Sequence, residues 1–216
     1  MTTSPTTPTA PGTEGHDQVV PAWLAPHRDL GPLEGVLARP ARLPLPQVLG
    51  VVLALLLLAV PAVVALVAPG THDLGVAGGG RTLLGPVWAW AAAAVGLATM
   101  AMAGRSLRRL DWPLPALLRG TEYGTVLLLA GAGPWAYLLL AVLAAHHYGI
   151  VYRVRLSGAG SQPWIALMTG GWPLRCVVLV VAAATDTVEV VIAAMVVVLA
   201  PLVTTDAVAS WLRLGR

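Results

Sequence analysis

The chain has 216 residues, 57% of them hydrophobic and only 11% charged, with a mean hydropathy of +0.77. An ordinary soluble domain carries about 25% charged residues, so the composition excludes that class and points to a polytopic membrane protein. Every basic charge is an Arg, and the net charge of +3 comes from Arg grouped between apolar runs, which membrane orientation requires and nucleic-acid binding does not explain.

From Met1 to Gln18 the sequence is Thr/Pro-rich with almost no apolar residues, so it is expected to be disordered. It lacks the basic start and apolar core of a signal peptide. Val19 to Arg42 mixes Trp23, Leu24, Leu30 and Leu33 with His27, Arg28, Arg39 and Arg42, and is broken by Pro26, Pro32 and Pro40. That mixture suits a segment lying on the membrane surface beside anionic headgroups. Residues 1–42 are therefore set apart as tail and interfacial segment, and residues 43–216 as a transmembrane helical domain.

The apolar runs predict an all-α bundle of six crossings at 47–68, 84–104, 115–132, 134–153, 172–185 and 188–211. A crossing needs about 20 residues at about 1.5 Å each. Pro61 is a candidate kink in the first span. The second is rich in Ala and contains Gly96, a surface that lets helices approach closely. Two tight hairpins complete the count. One turns at Gly131 to Pro134, where Gly-Ala-Gly-Pro separates two apolar runs. The other turns at Thr185 to Thr187, because a single span there would bury Asp186 and Glu189 at mid-bilayer at about 2.5–3.5 kcal/mol each. Asp186 is expected to cap the last helix, with Glu189 three residues on. The fifth span is short and needs extra length from Pro163 to Gly171 or local thinning. Cys176, the only Cys, cannot form an intramolecular disulfide and is expected to pack in an apolar helix.

This count puts Arg81 on one side and every other Arg on the side of the N-terminus. By the positive-inside rule that side is the cytoplasm, which makes the expected location the plasma membrane, with both termini cytoplasmic.

Residues equidistant from the Gly131 to Pro134 turn lie at similar depth, so Arg119 comes level with His146, and Glu122 comes within a turn of His146 and His147. Arg119 and Glu122 are three apart on one helical face and can pair. Adjacent histidines point about 100° apart, which argues against one metal held by both. One is expected to face Glu122 and the other the headgroups. Tyr148, Tyr152, Trp112, Trp135, Trp164 and Trp172 fall near helix ends, where interfacial anchoring is their default role. Arg119, Glu122, Tyr123, His146, His147, Tyr152, Arg153, Arg155 and Arg175 form the candidate site for an anionic ligand at the cytoplasmic rim, with Arg105, Arg108 and Arg109 completing a basic ring. No Gly-rich phosphate loop, HExxH, Cys pair or nucleophile elbow is present, so neither a catalytic residue, a metal nor a cofactor is assigned.

The run EYGTVLLLAGAGPWAYLLLAVLAAHHYGIVYRVR, followed by GGWPLR, resembles an uncharacterised family of actinobacterial membrane domains. The matching positions are Glu122, Tyr123, Gly124, His146, His147, Tyr148, Tyr152, Arg153, Arg155, Gly171, Trp172 and Arg175, over roughly Arg105 to Arg216. The resemblance implies a neighbouring nucleotidyltransferase-like or CDP-alcohol phosphatidyltransferase-like region, but no activity of its own. The acidic signature of CDP-alcohol phosphotransferases, Asp-Gly-x2-Ala-Arg-x8-Gly-x3-Asp-x3-Asp, is missing, because Asp111, Glu122, Asp186, Glu189 and Asp206 are scattered over different segments. The expectation is an accessory or binding module for an anionic lipid or lipid-linked substrate, with membrane lipids and a phospholipid or glycan transferase as partners. A small transporter and a membrane-embedded transferase are the alternatives.

Overall fold

The computed structural model describes residues 29–33, 43–67, 81–82, 85–105, 111–157 and 163–214. The chain is helical almost throughout these residues: α1 (Gln47–Val67), α2 (Val87–Ala101), α3 (Leu114–Ala130), α4 (Pro134–Ser157), the short α5 (Pro163–Met168), α6 (Gly171–Ala184) and α7 (Val188–Leu214). Small extended pairings close the ends. β1 (Leu43–Pro46) runs parallel to β4 (Gly104–Arg105), and β2 (Arg81–Thr82) antiparallel to β3 (Gly85–Pro86).

The six longer helices fall within a few residues of the expected spans. Three are long and apolar enough to cross a membrane: Gln47–Val64, Pro134–Leu156 and Val188–Leu212. Val87–Ala101 and Gly171–Ala184 are apolar but shorter, about 21–23 Å at about 1.5 Å per residue. The segment before α6 does not lengthen it. Pro163–Met168 forms a separate turn of helix, because Gly170 and Gly171 both take positive φ, 74° and 70°, and break the path.

Small residues set the packing. Ala91, Ala94, Ala98 and Ala101 form a buried stripe on α2, while Gly96 lies on the open side with nothing near its missing Cβ and is not part of that contact. α3 approaches α1 through Gly120 and Gly124, where an added Cβ would sit 3.4 Å from Leu55 Cδ2 and Leu58 Cδ1 respectively. α4 lies along α7, with Leu139 and Leu143 buried on one and Ile192, Val196 and Leu199 on the other. Thr121 and Thr125 donate to the carbonyls of Leu117 and Thr121, so their hydroxyls are satisfied inside α3.

Both expected turns are present. Gly131 ends α3 at φ 66°, and Pro134 opens α4. At the second turn, Thr187 N–H donates to Ala182 O at 2.8 Å and Asp186 N–H to Ala183 O at 3.5 Å, with Asp186 in the left-handed region at φ 56°. This is the C-terminal cap of α6. The expected role of Asp186 is thereby corrected: Thr187 precedes α7 and its carbonyl accepts from Val191 N–H, so the first helical bond starts one residue later.

The alternation of the chain gathers one set of helix ends. Gln47, at the start of α1, donates to the carbonyls of Met102 and Gly104 beyond the end of α2, at 3.1 and 2.9 Å. The first half of α3, the middle of α4 and the first turns of α6 meet through the polar side chains described next. Met1 to Gln18 and most of Val19 to Arg42 lie outside the described residues, as do Arg108 and Arg109. Asp29–Leu33 are described, and they correct the expectation for that part of the chain. Asp29 and Leu30 are buried against the bundle rather than spread on the membrane surface.

Candidate functional site: a buried carboxylate and arginine cluster

Asp29 is held by backbone before its side chain is considered. Its carbonyl accepts from Trp172 N–H at 3.0 Å, in the first turn of α6, where unpaired amides are available. The approach is so close that only glycine fits on either side. A Cβ on Gly31 would lie 2.6 Å from the carbonyl carbon of Gly170, and one on Gly171 2.5 Å from that of Leu30. Gly31 and Gly171 also have positive φ, 56° and 70°. The strap Asp29–Leu33 is thus seated on the Gly170–Gly171 corner, and its carboxylate points into the bundle at Arg175, one helical turn beyond Trp172.

Arg175 uses all three of its nitrogens. Nε donates to Glu122 Oε1 at 2.7 Å, Nη1 to the carbonyl of Thr169 at 3.0 Å, and Nη2 to Asp29 Oδ2 at 2.5 Å. Arg119 is more loosely placed, with Nη1 3.5 Å from Asp29 Oδ2 and 3.6 Å from Glu122 Oε2. His146 Nε2 lies 3.6 Å from Asp29 Oδ1. His147 Nε2 lies 3.3 Å from Glu122 Oε2 and 3.6 Å from Asp29 Oδ2. Four cationic or protonatable groups from α3, α4 and α6 therefore converge on one carboxylate carried by the strap.

Two carboxylates against two guanidiniums leave the cluster neutral when both imidazoles are neutral. That balance is what lets it be buried, since an unpaired charge in such a place costs several kcal/mol. Burial alone would raise the Asp29 carboxyl. The Arg175 guanidinium, the two His rings and Arg119 outweigh it and hold the group well below the usual carboxylate range.

The surroundings also fix the His147 tautomer. Its Nε2 faces only carboxylate oxygens, which accept and cannot donate, so the proton of a neutral ring sits there. Nδ1 then accepts from the Tyr123 hydroxyl, 2.8 Å away. Tyr123 is thus hydrogen-bonded to His147, and Glu122 Oε2 approaches the other ring nitrogen at 3.3 Å. Glu122 Oε2, His146 Nε2 and His147 Nε2 are buried without a hydrogen bond of good geometry, so the side of the cluster away from Arg175 is held by charge at 3.3–3.6 Å and not by tight bonds. Among the described residues, no group of three or more His, Cys, Asp or Glu is arranged to hold a metal ion.

Of the nine candidate residues, Arg119, Glu122, Tyr123, His146, His147 and Arg175 come together. Both histidines are buried, which corrects the expectation that one faces the headgroups. Arg153 belongs elsewhere: its Nη1 lies 2.7 Å from Asp206 Oδ2 and donates to Ser210 Oγ at 3.4 Å, tying α4 to α7. Tyr152 stacks on Tyr148 at 6.0 Å between ring centroids and lies 5.7 Å from Trp211, outside the cluster. Arg155 is exposed. Trp112, Trp135, Trp164 and Tyr148 are exposed near helix ends as anchors would be, whereas Trp172 is 0% exposed and belongs to the core beneath the strap. Cys176 is buried, as expected of a packing residue.

Asp29 was not legible as a site residue. It stands in an Asp-Leu-Gly triplet among Arg, His and Pro, and Asp73 occurs in the same triplet at Asp73 to Gly75. Nothing in the local sequence distinguishes the two.

A family model described as a family of unknown function (DUF5941) matches residues 20–216, which includes the strap and all six of the longer helices. No curated protein matches the chain, and no solved structure does.

Proposed function

The chain belongs to this family of unknown function, so no activity is inherited, and we propose that it is an accessory module that binds an anionic, phosphate-bearing lipid or lipid-linked substrate at the cytoplasmic membrane face. One observation carries the reading: Arg119, Arg175, His146 and His147 converge from three helices on a single anionic group at one end of the bundle. Two guanidiniums offer planar, paired donors suited to phosphate oxygens. The imidazoles add donors whose charge follows pH. The orientation is supported by the Arg asymmetry along the sequence, which puts this end of the bundle and both termini in the cytoplasm. A phospholipid or glycan transferase is the partner such a module would serve.

The test is native mass spectrometry of the purified protein, with and without Arg119→Ala and Arg175→Ala. An anionic lipid retained by the wild type and released by both substitutions supports the module. If no lipid is retained, or if retention is indifferent to both changes, the reading is wrong.

A second reading, a membrane-embedded transferase, is favoured by the hydrogen bond between Tyr123 and His147, with Glu122 Oε2 3.3 Å from the other ring nitrogen. A hydroxyl bonded to an imidazole beside a carboxylate is a pairing able to activate a nucleophile or relay a proton. Turnover of a phospholipid or glycolipid substrate by the purified protein, abolished by Tyr123→Phe, would favour this reading over the first.

A further inference from the structure

The cluster is an anion site whose occupant is part of the chain. Asp29 Oδ2 lies within 3.6 Å of Arg119, His147 and Arg175, and Oδ1 lies 3.6 Å from His146. Glu122 sits beside Arg119 on the same helix, so it stays wherever the arginine goes. Asp29 does not: it arrives on the separate strap Asp29–Leu33, whose Gly31–Leu33 form a single 3-10 turn, joined to α6 by the Trp172 N–H bond and the glycine contact. With the strap seated, the arginines are covered, the side chains of Arg119 and Arg175 keeping 14% and 4% of their exposure. The Asp29 carboxylate occupies the place on Arg175 Nη2 that an external anion would take.

Resting on the binding-module reading, we infer that Asp29 is an intramolecular stand-in for the ligand, and that a phosphate group enters by exchange, lifting the strap from the Gly170–Gly171 corner as its oxygens take the place of Oδ1 and Oδ2. Exchange keeps the charge of the site nearly constant. The cluster is neutral with Asp29 in it and carries one surplus positive charge with Asp29 withdrawn. A phosphate monoanion restores neutrality, and a dianion does so when one of the flanking histidines takes up a proton. The chemistry selects a phosphate-bearing group and leaves open whether it belongs to a lipid or is free in solution.

The probes are phosphatidic acid and inorganic phosphate, each titrated onto the full-length protein in nanodiscs of neutral phosphatidylcholine. The wild type is compared with Asp29→Asn, Gly31→Ala and Arg119→Ala. Asp29→Asn removes the competing charge. Gly31→Ala leaves every side chain of the cluster intact but drives a Cβ into the backbone at Gly170, so it unseats the strap independently should Asp29→Asn fold poorly. Helix content and a monodisperse elution profile verify folding.

Both strap variants are expected to bind phosphate groups at least tenfold more tightly than the wild type, and Arg119→Ala at least tenfold more weakly. In the wild type, hydrogen exchange at the Trp172 amide is expected to quicken when the ligand binds, because that N–H loses Asp29 O. Phosphatidic acid binding far above inorganic phosphate would identify a lipid headgroup as the source, and equal binding a soluble one; exchange stands in either case. If Arg119→Ala weakens binding while Asp29→Asn and Gly31→Ala match the wild type, exchange is overturned and the binding module survives. If neither probe binds any variant, both fall.

Discussion

Asp29 Oδ2 lies 2.5 Å from Arg175 Nη2 across 146 positions of sequence, so a residue before the first helix closes an ion pair inside the sixth. Breaking a buried pair by removing one partner costs about 3–5 kcal/mol, since the other charge is left uncompensated. Arg175→Met strands both Asp29 and Glu122. It is expected to lower the thermal unfolding midpoint in detergent more than Arg119→Met, whose contacts are longer at 3.5 and 3.6 Å. Equal losses in the two variants would mean that Arg175 is not the central clamp.

The same pair sets a pH dependence. The folded-state pKa of Asp29 is depressed below its ordinary 3.8, so its stabilising contribution is fully present above about pH 4 and is lost as pH falls through the lower folded value. Thermal midpoints of the wild type should therefore fall below about pH 4 more steeply than those of Asp29→Asn, which has no such group to protonate. Parallel curves would place the acid sensitivity in other carboxylates.

The pair Arg153 and Asp206 provides a contrast. Its 2.7 Å contact ties α4 to α7 and is separate from the Asp29 cluster. Asp206→Asn is expected to lower stability while leaving phosphate binding unchanged within twofold, as measured in the same nanodisc titration. A tenfold loss of binding would make the two clusters one site.

Close packing of α1 on α3 depends on Gly124, whose missing Cβ would already be 3.4 Å from Leu58 Cδ1. Gly124→Val pushes two further methyls into that contact and is expected to cost about 1–3 kcal/mol, the usual range for an overpacked core. Gly96→Val, with nothing within 4 Å of its Cβ position, should cost much less. The comparison is of unfolding midpoints at one detergent concentration.

The proposed orientation is tested by single cysteines in a Cys176→Ala background. Thr187→Cys, in the turn between α6 and α7, should react with an impermeant maleimide on intact cells whose outer wall admits the reagent. Ser157→Cys, at the end of α4, should react only after lysis. The reverse pattern would move the cluster to the outer face.

The sequence by itself determined the helices and their turns. Apolar runs bounded by Gly131 to Pro134 and Thr185 to Thr187 state where lipid-compatible segments start and stop, and each signal is local: a glycine able to take positive φ, a proline at a first helical position, a pair of carboxylates too costly to bury. Depth counted from the first turn was enough to bring Glu122 beside His147. What it could not decide was which partner each charge takes. Spacing alone puts Arg153 in the basic ring, yet Asp206 on α7 claims it, because α4 packs along α7. Asp29 falls in Val19 to Arg42, a segment whose mixed composition suits the membrane surface. Only the fold reveals that Gly31 and Gly171 let two stretches of backbone meet at a distance no side chain allows, and that this contact delivers a carboxylate to Arg175. Local chemistry fixes secondary structure, whereas ion pairing among distant residues depends on which backbones can touch.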